Sequence, residues 1–260
     1  MTHVGCCGWP VGRAEYFRRL SAIEINSTFY NLPRLSTAQR WREEAPKDFV
    51  FSVKAWQLIT HSSSSPTYRR LTQRLAERSL ARCGNFRASE EVASAWERTQ
   101  AVARALEARF ILFQTPRQFY PSPDHLRDFY RFIRELDRGG MVLVWEPRGE
   151  AWTGRLIGKV CKDLRLVHGV DPIFERQEAG ELGYFRLHGS RDQGRIVYRH
   201  QYPDAELRRI ADCGAGRRCF VFFNNSEMWK DACRFQEMAA YPHQAASIRA
   251  ESGRMARSRL

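Results

Sequence analysis

The chain has 260 residues, of which 43% are hydrophobic, so it can form one large domain or two small ones. No apolar run reaches about 18 residues, which excludes a membrane-spanning class. The start of the sequence shows no signal-peptide pattern. The cysteines show neither metal-binding nor CxxC spacing, which argues against a disulfide-stabilised class and predicts a cytoplasmic protein. The net charge of +13 favours anionic partners such as nucleic acid or phosphorylated metabolites, although arginines that only solvate helix surfaces would give the same total.

Short apolar segments alternate along the chain with segments of helical periodicity. Strands are predicted at residues 4–9, 22–29, 49–56, 110–115, 142–146, 164–170, 183–188 and 219–224. Helices are predicted at residues 15–20, after an N-cap at Ser36, at 68–82, after an N-cap at Ser89, from Ser122-Pro123 to Gly139-Gly140, and at 156–162, 203–211 and 228–238. Eight βα units in roughly 250 residues, without a Gly-rich phosphate fingerprint, favour a (β/α)8 TIM barrel over a doubly wound sheet.

One domain is predicted over residues 1–244, because the sequence shows no internal repeat and no linker. Residues 245–260 are rich in arginine, lack apolar periodicity, and are expected to form a disordered basic tail. The connection after the third strand, residues 57–87, is long for a βα connection. We expect this insertion either to cover the carboxyl ends of the strands as a mobile binding element or to be a solvated excursion.

Six short motifs occur in order: Gly5-Cys6-Cys7-Gly8-Trp9, Glu24-Ile25-Asn26-Ser27-Thr28-Phe29-Tyr30, Phe113-Gln114-Thr115-Pro116, Trp145-Glu146-Pro147-Arg148-Gly149, Tyr184-Phe185-Arg186-Leu187-His188-Gly189 and Phe222-Phe223-Asn224-Asn225. They resemble the YecE-like family, domain of unknown function 72 (DUF72), from about Val4 to Met238. The fifth-strand motif and the insertion resemble an archaeal-type branch of that family. The resemblance implies a TIM barrel but supplies no reaction, so function must be argued from the site.

Polar side chains stand at the ends of most predicted strands, after the apolar residues. In a TIM barrel these ends meet at one mouth, where active sites lie. The polar residues that strand parity brings to this mouth are Glu24, Asn26, Lys54, Gln114, Glu146, Arg148, Arg186, His188 and Asn224. A chain that needed only a hydrophobic core would have Val, Leu or Ile at these positions, so the polar residues favour a functional site. For each residue alone, the alternative is a buried ion pair that only fills the barrel mouth.

Glu24, Glu146 and His188 are predicted to be catalytic, with the two carboxylates acting as general acid and base. The remaining polar residues of the mouth are predicted to bind substrate. Lys54 and the two arginines favour a phosphate or carboxylate ligand. Two carboxylates do not neutralise three cations, and a buried unpaired charge is costly, so we predict that the pocket holds an anion.

Five further residues are weighed between a functional and a structural interpretation. Tyr198 and Tyr202 follow the seventh strand among arginines and are predicted either to stack a base or sugar, with Tyr198 as the main candidate, or to pack against the rim. His61 is interpreted as a loop histidine, with reach into the mouth from the insertion as the alternative, and His168 is interpreted as a core histidine. Cys7 is interpreted as a small core residue rather than a nucleophile.

Three functions stay open at this point. The first is an enzyme that acts by acid–base chemistry on a phosphate-bearing substrate, either a nucleotide or nucleic acid. The second is a non-catalytic nucleotide or nucleic-acid binding protein, and the third is a metal-dependent phosphodiesterase or endonuclease-like barrel. The sequence has no organic-cofactor motif. A divalent metal would require Glu24, Glu146 and His188 to converge, and no metal ligand set is assigned.

Overall fold

The computed structural model describes residues 1–240 and contains a closed barrel of eight parallel strands, which confirms the predicted TIM-barrel fold. An antiparallel hairpin of two more strands follows the seventh barrel strand. The strands are β1 (Thr2–Cys7), β2 (Ala22–Ile25), β3 (Val50–Lys54), β4 (Phe110–Gln114), β5 (Val142–Glu146), β6 (Val167–Val170), β7 (Gly183–Leu187), β8 (Ser190–Asp192), β9 (Arg195–Val197) and β10 (Cys219–Phe223). Strand β10 pairs with both β7 and β1 and so closes the barrel.

Helices cover the outside of the barrel. They are α1 (Arg13–Arg19), α2 (Leu35–Glu44), α3 (Gln57–Thr60), α4 (Glu77–Leu80), α5 (Glu90–Ala105), α6 (Pro123–Glu135), α7 (Gly154–Leu164), α8 (Asp204–Cys213) and α9 (Met228–Ala240). The predicted N-caps of α5 and α6 are confirmed, because the Ser89 and Ser122 hydroxyls each accept a hydrogen bond from a backbone N–H of the first turn. These caps fix where the two helices begin.

Alternation along the strands separates an inner from an outer core. Phe110 and Leu112 of β4 lie inside the barrel with Tyr184, whereas Ile111 and Phe113 pack against the helices. All of these side chains are fully buried. Polar residues that share the inner parity, near the carboxyl ends of the strands, therefore point into the mouth.

Two predicted strand limits near the amino terminus are wrong. Strand β1 begins at Thr2 and ends at Cys7, where Gly8, with φ of 110°, turns the chain. Strand β2 ends at Ile25, and a 3-10 turn (Asn26–Phe29) replaces its predicted second half. The Thr28 hydroxyl lies within hydrogen-bond distance of the Ile25 and Lys54 carbonyl oxygens and holds this turn against β3.

Three further limits also differ from prediction. Helix α2 begins at Leu35, so Ser36 is inside its first turn rather than at the N-cap. Helix α7 continues to Leu164 and ends at Arg165 in the left-handed conformation, which delays β6 to Val167. Helix α6 ends at Glu135, and the two glycines at 139–140, both with positive φ, form the turn into β5.

The insertion after β3 lacks the predicted helix at 68–82 and contains instead a 3-10 turn (Pro66–Arg70) and the four-residue α4. Asn31 explains this difference, because its side chain bonds the Arg70 carbonyl oxygen and the Thr72 backbone N–H, groups that a helix would use internally. Backbone hydrogen bonds from Gly84 to Leu58 and from residue 86 to residue 59 join the two ends of the segment. We call these two contacts the neck of the insertion.

The predicted domain limit at residue 244 and the basic tail at 245–260 lie outside the described residues. Within the part of the chain that the structure describes, no helix combines the length and the apolar character that crossing a membrane would require.

Candidate active site

Arg186 lies at the centre of a buried charged cluster in the barrel mouth, with only 1% of its side chain exposed. It forms a bidentate ion pair with Glu24, with N–O distances of 2.8 and 2.7 Å. Its third guanidinium nitrogen donates to Glu146 at 2.6 Å. The hydroxyl of Tyr184 donates to Glu24 at 3.0 Å and lies 2.7 Å from the Ser52 hydroxyl. Glu24 is therefore fully engaged and points away from solvent.

Glu146 carries a second cation on its outer side, because Arg148 forms an ion pair with its other oxygen. Burial alone would raise the pKa of Glu146, but the positive charges of Arg148 and Arg186 outweigh burial and hold the pKa well below its usual range. Glu146 is thus a carboxylate at neutral pH. This state suits a base or an electrostatic partner and does not suit the general acid.

His188 follows β7 and has a defined tautomer. Its Nε2 lies 3.0 Å from an Arg148 nitrogen and 3.1 Å from an Arg186 nitrogen. Guanidinium groups only donate, so Nε2 accepts and the ring proton is on Nδ1, 3.7 Å from an Asp171 carboxylate oxygen. That oxygen accepts the His188 backbone N–H at 3.1 Å. Burial lowers the pKa of His188, which agrees with a neutral ring.

Lys54, at the end of β3, donates to the Gln114 side-chain oxygen at 2.8 Å, and its ammonium lies 4.2 Å from the centre of the Phe29 ring. Burial and repulsion from Arg186 lower the pKa of Lys54 to about 8, against the opposite effect of Glu24 and Glu146. Lys54 and Gln114 therefore meet at the mouth as strand parity predicts.

A cavity of about 760 Å³ opens above this cluster. Arg148, with 22% of its side chain exposed, is the member of the Glu146–His188 group that lines the cavity. Five arginines and three glutamates contribute to the wall, so positive charge is in excess: Arg117, Arg148, Arg176, Arg191 and Arg195 against Glu150, Glu175 and Glu178. Three of these arginines are in ion pairs: Arg191 with Glu175, Arg117 with Glu150, and Arg148 with Glu146 of the buried cluster.

Three predicted binding residues lie outside the charged cluster. Asn26 begins the 3-10 turn after β2, and its side-chain oxygen is buried without a hydrogen-bond partner. Asn224 follows β10, where its backbone N–H donates to the Leu187 carbonyl oxygen. Tyr198 is 50% exposed on the cavity wall, with its ring centre 6.3 Å from that of His188. The binding roles of these residues stay predictions.

Of the two interpretations of Tyr202, ligand stacking is wrong. Its side chain is fully buried, and its hydroxyl accepts from the Gly189 backbone N–H at 2.7 Å and contacts the carbonyl oxygen of the same residue. Gly189 has φ of 97°, and an added Cβ would lie 2.4 Å from the Val197 carbonyl oxygen. Tyr202 therefore holds the turn between β7 and the hairpin.

His61 and His168, the two histidines interpreted above as structural, both line the cavity. His61 is 5% exposed and packs edge-on against Phe29, and burial together with Lys54 lowers its pKa to about 3. His168 is buried as predicted, and its Nδ1 accepts the Glu178 backbone N–H, which leaves the proton on Nε2. Burial lowers the pKa of His168 to about 4. Both rings are neutral at physiological pH.

Cys7 lies at the inner wall beside Glu24 and Arg186. It is buried, and burial followed by the negative charge of Glu24 raises its pKa far above the usual value. A thiolate nucleophile is therefore disfavoured at this position, in agreement with its interpretation as a core residue.

Asp171, which is absent from the predicted set of strand-end residues, changes the charge balance of the site. It follows β6 in the same parity as Val167 and Gly169, so the strand-end signal that marked its neighbours was present. With Asp171, three carboxylates face three cations, and the predicted excess of buried positive charge is wrong. The case for an anionic ligand now depends on the cavity wall rather than on the buried cluster.

The site residues do not fit a divalent metal while Arg186 is in place. Its guanidinium occupies the position between Glu24, Glu146 and His188 that a shared metal ion would need. In residues 1–240, no group of three or more His, Cys, Asp or Glu side chains is arranged to hold a metal ion. We derive no step through a metal.

Comparisons with known proteins agree on fold and family. A short segment of 50 residues is 38% identical to UPF0759 protein YecE of Escherichia coli (strain K12), covering 19% of this chain and 18% of the relative. A solved DUF72 family protein of Enterococcus faecalis V583 is 18% identical over 92% of this chain and 97% of its own, with a TM-score of 0.68. Another from Thermotoga maritima MSB8 is 17% identical over 92% and 98%, with a TM-score of 0.67.

These relatives come from bacteria and lend no support to the predicted archaeal-type branch. The family model described as "Protein of unknown function DUF72" matches residues 12–255, which is nearly the whole chain. The chain therefore belongs to the DUF72 family.

Proposed function

We propose that this protein is an enzyme that binds a phosphate-bearing substrate, a nucleotide or a nucleic-acid strand, in the cavity above the barrel mouth. Glu146 and His188 transfer protons there. Arg148 and the other cavity arginines bind the anion, since guanidinium groups bind phosphate oxygens in a bidentate manner. Glu24, which is fully buried behind Arg186, positions the cluster and does not touch substrate.

This proposal is supported most directly by Arg148, which contacts both the cavity and the buried cluster. Its guanidinium lines the cavity and at the same time caps the two candidate bases, Glu146 and His188. When Arg148 turns toward a bound phosphate, the outer oxygen of Glu146 loses its ion-pair partner and Nε2 of His188 loses one of its two donors. Anion binding thereby makes both groups better proton acceptors at the moment when substrate is present.

The test measures binding and turnover separately. Isothermal titration with adenosine monophosphate, and with adenosine as its phosphate-free counterpart, should show binding that depends on the phosphate. Arg148→Met should weaken nucleotide binding at least tenfold, or about 1.4 kcal/mol. Arg209→Met makes the same change of charge at an exposed position of α8 and is the matched control. Equal binding of both ligands, or no effect of Arg148→Met, would exclude the anion site.

Turnover is then measured with nucleotides and short oligonucleotides followed by mass spectrometry of the products. His188→Gln keeps the neutral charge of the ring and should retain binding while it abolishes turnover. Substrate that binds at Arg148 but is never converted would favour a binding protein over an enzyme.

A non-catalytic nucleic-acid reader is the second candidate function. Tyr198 favours it, because a half-exposed aromatic ring stands on the cavity wall with Arg191 and Arg195 of the hairpin. Such a surface suits a stacked base beside a phosphate. Binding of single-stranded oligonucleotides that weakens steeply with salt and is lost in Tyr198→Ala, without any turnover, would support this function.

A further inference from the structure

Lys54 differs from every other lysine of this chain. Basic residues are nearly all arginines, and the chain contains five lysines among its 42 lysine and arginine residues. Lys54 is 7% exposed, at the end of a barrel strand. The other four lysines are exposed: Lys47, Lys159, Lys162 and Lys230. The one buried lysine amine of this chain thus lies at the barrel mouth, whereas two of the exposed lysines, Lys159 and Lys230, form ion pairs at the surface.

The partners of Lys54 are unusual for a buried ammonium group, which normally pairs with a carboxylate. Its hydrogen bond goes to the neutral amide of Gln114, and its other close neighbour is the Phe29 ring. The two nearby carboxylates, Glu24 and Glu146, are held by arginines. A structural ion pair therefore does not explain this amine.

We infer that Lys54 is a nucleophile that forms an imine with a carbonyl carbon of the substrate. This inference rests on the proposed function and narrows its substrate to a compound that carries both a phosphate and an aldehyde or ketone group. Attack by the amine forms the C–N bond, and the carbonyl oxygen then leaves as water with the two amine protons. Imine formation needs no oxidant or reductant, and hydrolysis reverses it.

The charged surroundings favour the neutral amine that attack requires. Burial and the positive charge of Arg186 lower the pKa of Lys54 to about 8, whereas Glu24, Glu146 and Cys7 oppose the shift. His61, the remaining titratable neighbour, is neutral because burial and Lys54 itself lower its pKa to about 3. About half of the Lys54 amine is therefore neutral at pH 8, where exposed lysines are almost fully protonated.

A substrate carbonyl reaches Lys54 past the side chains that separate it from the cavity. Gln114, which accepts its hydrogen bond, and the neutral His61 both line the cavity wall. Rotation of the Gln114 amide opens the way to the amine. Arg148 on the same wall is available to the phosphate of the same ligand.

The experiment traps the imine. Wild-type protein at pH 8 is mixed with one equivalent of pyridoxal 5′-phosphate, a phosphate-bearing aldehyde used as a probe, and reduced with borohydride. Mass spectrometry of the digested protein then locates the reduced adduct. We expect labelling of Lys54 at least tenfold faster than at any exposed lysine. Lys159→Met, which removes an exposed lysine, should not change this rate, whereas Lys54→Met should abolish the preferred adduct.

Pyridoxal without phosphate separates the two proposals. If it labels Lys54 as fast as the phosphorylated probe does, the amine inference stands and the phosphate site is wrong. If nucleotide binding depends on Arg148 but Lys54 is labelled no faster than Lys47 and the other exposed lysines, the proposed function stands and the imine inference is overturned. Labelling should rise through pH 8 rather than above pH 10, and a rise only above pH 10 would also contradict the inference.

Discussion

Arg186→Leu is the substitution that tests the buried cluster most directly. It removes the bidentate partner of Glu24 and one of the two partners of Glu146. Arg148 still neutralises Glu146, but Glu24 keeps only the Tyr184 hydroxyl. Breaking a buried pair from one side costs about 3–5 kcal/mol, a large part of the roughly 5–15 kcal/mol that stabilises a domain.

Urea unfolding at pH 8 and pH 5, followed by circular dichroism, measures this loss. We expect a loss of about 3–5 kcal/mol at pH 8 and a smaller one at pH 5, because protonation can remove the uncompensated negative charge. Adding Glu24→Gln to Arg186→Leu should restore most of the stability, and adding Glu146→Gln should restore less. This order follows from Arg148, which compensates only Glu146.

Arg104→Leu is the matched control, since its ion pair with Asp137 is exposed, with 57% and 70% of the two side chains accessible. Its loss should stay below about 1 kcal/mol. If Arg186→Leu is as mild as this control, or if Glu24→Gln restores nothing, the cluster does not contribute to stability as argued.

Three further substitutions test other parts of the structure. The folded-state pKa of Glu146 is below its ordinary value of 4.5, so its ion pairs stabilise the fold above pH 4.5 and this contribution is lost as pH falls. In Glu146→Gln, the free energy of unfolding measured in urea should therefore fall less steeply as the pH is lowered. The folded-state pKa of Lys54 falls from 10.5 to about 8, so burial of the charged amine costs about 3 kcal/mol of stability at pH 7 and nothing above pH 10.5. Lys54→Met should therefore raise the free energy of unfolding at pH 7. An unchanged free energy of unfolding would contradict the lowered pKa. Gly84 has φ of 81°, and an added Cβ would lie 2.1 Å from the His61 carbonyl oxygen. Gly84→Ala should therefore cost about 1–3 kcal/mol of stability and accelerate proteolysis in the insertion. Gly140→Ala is the control, because a Cβ at that position meets open space at a similar φ.

The barrel could be predicted from sequence because its strands and helices carry different hydrophobic periods. The polar residues of the site could be found for a related reason. Glu24, Glu146 and Arg186 stand in the inner parity of strands whose other inner residues are apolar, and only a charged cluster accounts for them. Convergence then follows from the parallel barrel, in which all carboxyl ends face one side.

The partners within the cluster could not be predicted, because they depend on distances between strands that are remote in sequence. Nothing in the sequence shows that Arg186 takes both glutamates and leaves Lys54 with an amide. The role of Tyr202 depends in the same way on a backbone turn at Gly189. Asp171 is different, since its parity marked it and the predicted strand ended at residue 170, where β6 also ends.

The neck of the insertion has a consequence for how this family can vary. Residues 61–83 leave and re-enter the barrel at adjacent points, because residues 58 and 59 bond residues 84 and 86. A replacement of different length therefore needs only to close the same short gap, and loop closure costs about 0.6 kcal/mol for each doubling of length. His61, Ser65 and Thr67 of this segment contribute to the cavity wall, so a replaced segment would change the ligand-binding surface while the eight barrel strands stay the same.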